Sequence, residues 1–284
     1  MPACLLPDRG IVSVSGPDSE TFLDNLLTVS VEKLAEGEAR FGALLTPQGK
    51  IIVDGFVVKA NEGFLIDCPR ALAQDLARRL GFYKLRAKVD VADRSEDYAV
   101  LTYWGDADAP RGAGVVFNDP RLDRLGERLI MSSDAMPDHA ETHVMYVAHR
   151  VALGVPEGGR DFAYGDAFPH EADMDQLHGV DFHKGCYVGQ EVVSRMQHRA
   201  IARTRVVPVR FVDGVAVPEG TEAVSGGKVL GRIGSTGANG QALALLRLDR
   251  VSDAETAGEP LTAGGLAFKL ERRDWIQFEL PGTL

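Results

Sequence analysis

The chain has 284 residues, of which 45% are hydrophobic and 25% charged, and its formal net charge at pH 7 is −10. This composition is typical of a folded globular protein, and the acidic excess disfavours stable binding to nucleic acids or to anionic membranes. Since the sequence contains no run of about 18 apolar residues and no signal-peptide pattern, we expect a cytoplasmic protein with no membrane partner.

The first part of the chain predicts a mixture of strands and helices. "GIVSVSG" alternates apolar and small residues as a strand does, and Asp18 then begins a helical stretch. Three β-rich runs follow within residues 41–68, and they are separated by turn signals. The next pattern predicts an amphipathic helix that begins at Pro69 and ends at Gly81. "AKVDVADRS" and "YAVLTYWG" predict two further strands, so this order is typical of an α+β fold.

The second part of the chain has a different character. Residues 105–140 are rich in Gly, Asp, Pro and Arg and show little periodicity, so we expect surface connections there. From about residue 203 the sequence consists of short apolar runs separated by Gly, Pro and Asn. Such spacing predicts a small β-barrel or a sandwich.

The three cysteines, Cys4, Cys68 and Cys186, are odd in number and far apart, which is unlike a secreted disulfide framework. We therefore expect free thiols. Lys184 precedes Cys186 by two residues, and glycines stand on both sides of the cysteine, so its setting is electropositive and flexible.

The residues alone leave three roles open for Cys186: an ordinary buried thiol, a redox or nucleophilic thiol, or a ligand of a metal or cluster. Stable zinc or iron–sulfur sites need three or four protein ligands, usually with closely spaced pairs such as C-x-x-C. The sequence supplies no such pairs, so we predict no resident metal, and a cluster would be shared with another chain or a small thiol.

One segment departs from the acidic character of the chain. "SRMQHRAIARTR", residues 194–205, contains four arginines and no acid. It is either a solvated hinge or a site for an anionic ligand or partner. If residues from Glu191 onward are helical, Glu191 and Arg195 lie one turn apart and form an ion pair.

The segment "KGCYVGQE", residues 184–191, resembles the signature K-G-C-[FY]-x-G-Q-E of the YgfZ-type folate-binding proteins. These proteins act in iron–sulfur cluster maintenance and belong to the superfamily of the glycine cleavage system T-protein. The resemblance extends over most of the chain, through "VSGPDSETFLDNLLT", "LLTPQGKIIVDG", "HRVALGVPEG" and "GKVLGRIGS".

This resemblance implies an α+β, three-domain T-protein-like assembly. A discontinuous N-terminal α+β domain would hold residues 1–45 and about 140–202. A ferredoxin-like domain with irregular connections would span residues 46–139, and a C-terminal β-barrel would span residues 203–284. The resemblance also implies tetrahydrofolate as the ligand, iron–sulfur client or assembly proteins as partners, and support of some tRNA thiolation.

The resemblance further implies the site residues. Cys186 would be the functional thiol. The residues expected to bind the folate cofactor are Arg150, Lys184, Gly185, Tyr187, Gly189, Gln190, Glu191 and Arg195.

Two departures from the T-protein pattern bear on activity. Val53 stands where the T-protein has its catalytic aspartate, and Asp54 takes the second position of that pair. Since valine cannot accept a proton, we do not expect aminomethyl transfer, and the alternative of a folate-dependent one-carbon transferase would need another acid. Ala152 replaces the acid that recognises the pterin edge. Either Glu157 or another acid substitutes for it, or the pterin is held differently.

Overall fold

The computed structural model describes residues 3–61, 63–135, 143–199 and 202–282. The chain forms two compact units. The first comprises Met1–Tyr146 and Leu177–Gln190, and the second comprises Val147–Gln176 and Glu191–Leu284. The segment with Cys186 therefore belongs to the first unit although it lies late in the sequence. The three predicted domains stay a prediction.

The first unit consists of antiparallel strands and two helices. The predicted strand at residue 10, the three runs within residues 41–68, the helix after Pro69 and the two later strands are all confirmed. The elements are β1 (Ala3–Leu5), β2 (Arg9–Ser15), α1 (Ser19–Asp24), β3 (Ala39–Leu45), β4 (Ile51–Ala60), β5 (Gly63–Pro69), α2 (Arg70–Tyr83), β6 (Asp90–Asp93), β7 (Tyr98–Tyr103), β8 (Val115–Asn118) and β9 (Glu127–Ser132).

Two sheets form this unit. The larger one has the order β3-β4-β5-β2-β6, and the smaller one has the order β1-β7-β9-β8. Alternate residues of the larger sheet, such as Val12, Val53 and Ile66, point into one core with Leu23 of α1 and Leu76 of α2. Apolar residues recur at every second position in these strands and at helical spacing in α2, and both sets lie in this one core.

The opposite face of the larger sheet holds a buried ion network. The Arg128 guanidinium lies 4.2 Å from the centre of the Phe56 ring. It donates to Asp67 at 2.9 Å and to Asp119 at 3.3 Å. Burial alone would raise the pKa of Asp119, but Arg121 and Arg128 more than offset this, so its pKa lies below the usual value. These paired charges satisfy each other away from water.

Two expectations for this unit are wrong. Residues 105–140 contain β8 and β9 rather than surface connections alone. In β9 the residues from Arg128 to Met131 are all buried, and a strand covered on both faces lacks the alternation that identifies strands in sequences. Helix α2 also continues past Gly81 to Tyr83, because Gly81 does not adopt the left-handed conformation with which a glycine ends a helix.

The second unit is built on a closed barrel with the strand order β10-β13-β12-β11-β14-β15, which confirms the predicted barrel. Its core includes Val207, Phe211, Leu246 and Phe268. The elements from helix α3 onward are α3 (His143–Leu153), α4 (Gln190–Arg199), β10 (Thr204–Phe211), β11 (Glu222–Ser225), β12 (Lys228–Thr236), β13 (Gln241–Arg247), α5 (Leu248–Thr256), β14 (Thr262–Ala263) and β15 (Leu266–Leu270).

Helix α5 was not expected from the sequence. It begins directly after β13, so the apolar run of the strand passes into the helix without a turn signal. Leu248, Val251 and Ala254 recur at three-residue spacing and are buried. No helix in the described ranges combines the length and the apolar character that a membrane span requires.

Candidate functional site

The segment that carries Cys186 is joined to the chain that follows α1 through Thr28. The Thr28 hydroxyl donates to the carbonyl of Gly179 at 2.6 Å and accepts from the amide of Ala43 on β3 at 2.9 Å. The amide of Asp181 donates to the carbonyl of Thr28 at 2.8 Å. Because Thr28 is fully buried, these bonds attach residues 179–181 to the larger sheet without competition from water.

Lys184 holds the same segment from within. Its ammonium donates to the carbonyls of Asp24, Leu27 and Val29 at 2.5, 2.9 and 2.9 Å. The side chain is only 1% exposed, and an ammonium has three hydrogens to donate. Burial lowers the pKa of Lys184, and the nearby carboxylate of Asp24 counteracts this in part. The sequence predicts that Lys184 binds the cofactor. In the structure, all three N–H donors of its ammonium are engaged with backbone carbonyls.

Gly189 allows the turn after the cysteine to pack against the turn between β3 and β4. Its φ of +84° belongs to the left-handed region, which favours glycine. A Cβ atom at this position would lie 2.6 Å from the carbonyl oxygen of Thr46 and 3.1 Å from Cα of Gly49. A Cβ atom at Gly185 would have no other atom within 4 Å, so steric contacts do not require a glycine at this position.

Cys186 lies on the outer side of this turn. It is exposed, whereas Cys4 and Cys68 are buried and all three are free thiols. The interpretation of Cys186 as a buried packing residue is therefore wrong. The side-chain amide nitrogen of Gln190 donates to the carbonyl of Gly185 at 3.2 Å and closes the turn.

Tyr187, the next residue, points inward. It is buried, and its ring centre lies 5.5 Å from the Lys184 ammonium. Burial raises the pKa of Tyr187 to about 12, with a further contribution from Asp181. Cys186 is thus carried between two side chains, Lys184 and Tyr187, that are committed to the interior of the first unit.

The predicted residues Glu191 and Arg195 lie on α4, in the second unit. They form the expected ion pair, and both side chains are largely exposed. The basic segment 194–205 is divided in the structure. Arg205 is buried and binds Asp173 and Asp175, whereas Arg195 and Arg203 line a cavity of about 430 Å³ together with Arg247.

Arg150, also predicted to bind the cofactor, lies inside the second unit. It is 1% exposed and donates to the carbonyl of Val155 at 2.6 Å and to Asp161 at 2.9 Å. It also donates to Ser235 on β12 at 2.7 Å and to Glu157 at 3.1 Å. Arg150 therefore joins α3 to the barrel. Glu157, the predicted substitute for the acid missing at position 152, takes part in the same network.

Val53, which stands where the T-protein has its catalytic aspartate, is an apolar residue in apolar surroundings. Val53 is buried in the core between the larger sheet and its helices. Asp54 is also buried, but successive strand residues face opposite sides, so its side chain lies on the other face of β4.

The described ranges hold no group of three or more His, Cys, Asp or Glu side chains that could bind a metal ion. Of the histidines in the segment before the cysteine, His170 is buried, and its Nε2 lies 3.0 Å from the Gln197 side-chain oxygen. The functional detail that the sequence did not reveal is the anchoring of Lys184, because the three carbonyls it binds lie 155 to 160 residues earlier in the chain.

Comparisons with known proteins agree with this architecture. The GCVT N-terminal domain matches residues 9–109, and the CAF17 C-terminal beta-barrel domain matches residues 203–278. The crystal structure of glycine cleavage system aminomethyltransferase T from Bartonella henselae aligns with a TM-score of 0.77 at 14% identity, covering 97% of this chain and 86% of that chain. The chain thus has the T-protein-like α+β fold with a six-stranded C-terminal barrel.

Sequence relatives define the family more narrowly. Iron-sulfur cluster assembly factor IBA57, mitochondrial, from Homo sapiens is 31% identical over 88% of this chain and 78% of its own length. The homolog from Pyricularia oryzae is 32% identical over 91% of this chain and 75% of its own length. The homolog from Mycosarcoma maydis is 33% identical, with 72% of this chain matching 56% of that protein.

The chain belongs to the family of iron-sulfur cluster assembly factor IBA57. This result confirms the superfamily implied by the cysteine signature. The relatives are named as mitochondrial proteins, and the cytoplasmic location of this chain stays a prediction.

Replacement of Lys184 by Met tests its anchoring role. The variant leaves three carbonyls without their donor, so we expect the free energy of unfolding to fall by about 3 kcal/mol. Urea denaturation at neutral pH measures this change. Lys88 is exposed and serves as the matched control, since Lys88→Met should change the value by less than about 0.5 kcal/mol. Equal effects of the two substitutions would contradict the anchoring role.

Tyr187 predicts a specific pH dependence of stability. A free tyrosine has a pKa of about 10, so between pH 10 and about 12 the unfolded chain loses the phenol proton while the folded chain retains it. Stability contributed by the neutral phenol is therefore complete below pH 10 and decreases as the pH rises. Between about pH 9 and about pH 11.5, the wild type should lose about 2 kcal/mol more unfolding free energy than Tyr187→Phe. Parallel pH profiles for the two proteins would disprove the shift.

Proposed function

We propose that this chain supports iron–sulfur cluster assembly or repair and that the Cys186 thiol is its working group. The observation that carries the proposal is the exposure of Cys186 on a turn whose neighbouring residues are fixed by Lys184, Thr28 and Gly189. A structural thiol gains nothing from exposure, whereas a thiol that meets another molecule needs it. The names of the relatives support the same role.

The surroundings of Cys186 favour a shared ligand rather than a self-sufficient site. An iron–sulfur cluster is usually held by four thiolates, and Cys186 would supply one. The remaining ligands would come from a client or assembly protein, or from a small thiol. Binding of iron to the sulfur would release the thiol proton to solvent, so cluster contact would weaken as the pH falls.

We also propose tetrahydrofolate as the ligand and, by the same resemblance, support of some tRNA thiolation. The fold supports the folate proposal, but the expected contacts need revision. Lys184 and Arg150 are already engaged with protein groups, Tyr187 is buried, and Glu191 and Arg195 pair with each other on α4. Of the expected polar side chains we therefore retain Gln190 as a contact.

A folate-dependent one-carbon transferase is the less favoured candidate. Its chemistry needs a proton acceptor at the position of Val53, and that position lies in an apolar core. Formation of methylene-tetrahydrofolate at catalytic rates from an aminomethyl donor would revive this candidate.

Replacement of Cys186 by Ser tests the role of the thiol. The change swaps sulfur for oxygen on an exposed residue, so we expect no loss of folding. In a strain without the protein, this variant should leave the activities of iron–sulfur enzymes at the level of the strain itself. Cys4→Ala should restore these activities, because Cys4 is a buried thiol of the smaller sheet. Full restoration by Cys186→Ser would disprove the proposed role.

Titration with tetrahydrofolate under anaerobic conditions tests the ligand. We expect saturable binding by the wild type and about tenfold weaker binding by Gln190→Ala, which corresponds to the loss of one hydrogen bond. Lys228→Met, an exposed change on the barrel, is the control and should bind like the wild type. Arg150→Ala is unsuitable because it would disturb the buried network first. Absence of binding by the wild type at about 1 mM ligand, far above the range expected for a specific cofactor site, would remove tetrahydrofolate from the proposal.

A further inference from the structure

The C-terminal end of α2 and the turn after it expose large apolar side chains. Phe82 is 72% exposed, Tyr83 is 38% exposed and Leu85 is 90% exposed. Exposed apolar residues are ordinary when they occur singly, but a cluster marks a contact surface. We name residues 82–88, "FYKLRAK", the α2 tip.

The backbone fixes these side chains in their exposed positions. The amide of Lys84 donates to the carbonyl of Leu80 at 3.1 Å, and the amide of Ala87 donates to the carbonyl of Lys84 at 2.7 Å. Between these bonds Leu85 has a φ of +43°, a left-handed conformation that a leucine rarely adopts. A strained residue that presents its side chain to solvent indicates a role for that side chain outside the fold.

The α2 tip and the helical turn before it also carry positive charge, of which only part is paired with acids. Residues 78–88 contain five Lys or Arg residues and no acid. Arg78 and Arg79 pair with Asp75 on α2, and Lys84 lies 3.4 Å from Asp90.

Two cations of the α2 tip are not paired with an acid of the described residues. Arg86 and Lys88 are exposed, and within the part of the chain that the structure describes their side chains make no hydrogen bond or ion pair. The nearby carboxylate of Asp18 accepts from the backbone amide of Lys88 rather than from its ammonium.

We propose that the α2 tip binds the surface of an anionic lipid bilayer. Phe82 and Leu85 would enter the boundary between head groups and acyl chains, and Tyr83 would lie at head-group level. Arg86 and Lys88 would meet the lipid phosphates, to which their charge is complementary. A second copy of the chain is a poorer occupant, because a symmetric contact would bring the same cations together.

The net charge of −10 does not oppose this contact when the tip faces the membrane. Screening at physiological salt acts over about 8 Å, so charges elsewhere on the protein contribute little at the tip. The expectation of no membrane partner came from the acidic composition and from the lack of a long apolar run, and this proposal revises it for one exposed segment. Neither Cys186 nor folate takes part in the contact.

Co-sedimentation with vesicles tests the proposal. The probes are vesicles of phosphatidylcholine alone and vesicles that contain about 30% phosphatidylglycerol. We expect the wild type to bind the anionic vesicles at least about tenfold more tightly than the neutral ones, and added salt should weaken this binding. Phe82→Ser combined with Leu85→Asn should lower the affinity for anionic vesicles at least about tenfold, and asparagine suits the left-handed conformation at position 85.

Matched controls separate the tip from other surfaces. Val212 and Val215 are exposed residues of the second unit, so Val212→Ser combined with Val215→Ser should bind vesicles like the wild type. Arg86→Gln combined with Lys88→Gln should remove the preference for anionic lipid. Cys186→Ser should bind normally, which distinguishes this proposal from the proposed function.

Two results would overturn the lipid proposal. One is the absence of binding between the wild type and anionic vesicles. If iron–sulfur support is also lost in the Phe82/Leu85 variant in that case, the α2 tip binds a protein instead. The other is vesicle binding that survives the Phe82/Leu85 substitutions, since lipid would then touch another surface.

Discussion

The conformation around Cys186 depends on one buried ammonium bound by three backbone carbonyls. Lys184 can lie inside the first unit because the carbonyls of Asp24, Leu27 and Val29 replace its hydration and the Asp24 carboxylate lies 3.6 Å from its ammonium. The Asp24 carbonyl belongs to the last residue of α1, where a helix leaves its carbonyls without intrahelical partners, and Leu27 and Val29 follow in the loop after it. The negative end of the helix favours a cation there as well. The lysine therefore completes α1 and at the same time fixes the segment that presents Cys186.

Neighbouring side chains of the cysteine signature point in opposite directions. Lys184 and Tyr187 face the interior, and Gly189 allows contact between two turns that a side chain would prevent. Cys186 is the residue between them that faces solvent with a reactive atom. Lys184, Tyr187 and Gly189 thus hold the backbone in the conformation that exposes Cys186. Under the proposed function, a substitution at an inward-facing position would act by moving the Cys186 thiol.

Local patterns in the sequence were sufficient for much of the fold. The strands within residues 41–68, helix α2 and the C-terminal barrel follow from periodicity and turn residues, and the structure confirms them. Strand β9 was missed because it is buried on both faces, and α5 was missed because it follows β13 without a break. The signature located the cysteine segment, but the role of Lys184 and the bond from Arg150 to Ser235 arise from contacts distant in sequence. Such contacts leave no local pattern.

The alternation of β4 explains why the acid next to Val53 does not substitute for a catalytic aspartate. Val53 and Val57 face the apolar core, so Asp54 and Phe56 face the other side. There the carboxylate of Asp54 contributes to raising the pKa of Arg9. The pairing of Leu44 with Val53 fixes this register across β3 and β4. Shifting the strand by one residue would bring Asp54 to the core side, but it would also move every apolar residue of that face to the side that holds the buried ion network. An acid at position 53 would itself be buried without a partner, at a cost of several kcal/mol. The packing of the larger sheet, which also supports the cysteine turn, thus disfavours the T-protein's catalytic acid at position 53.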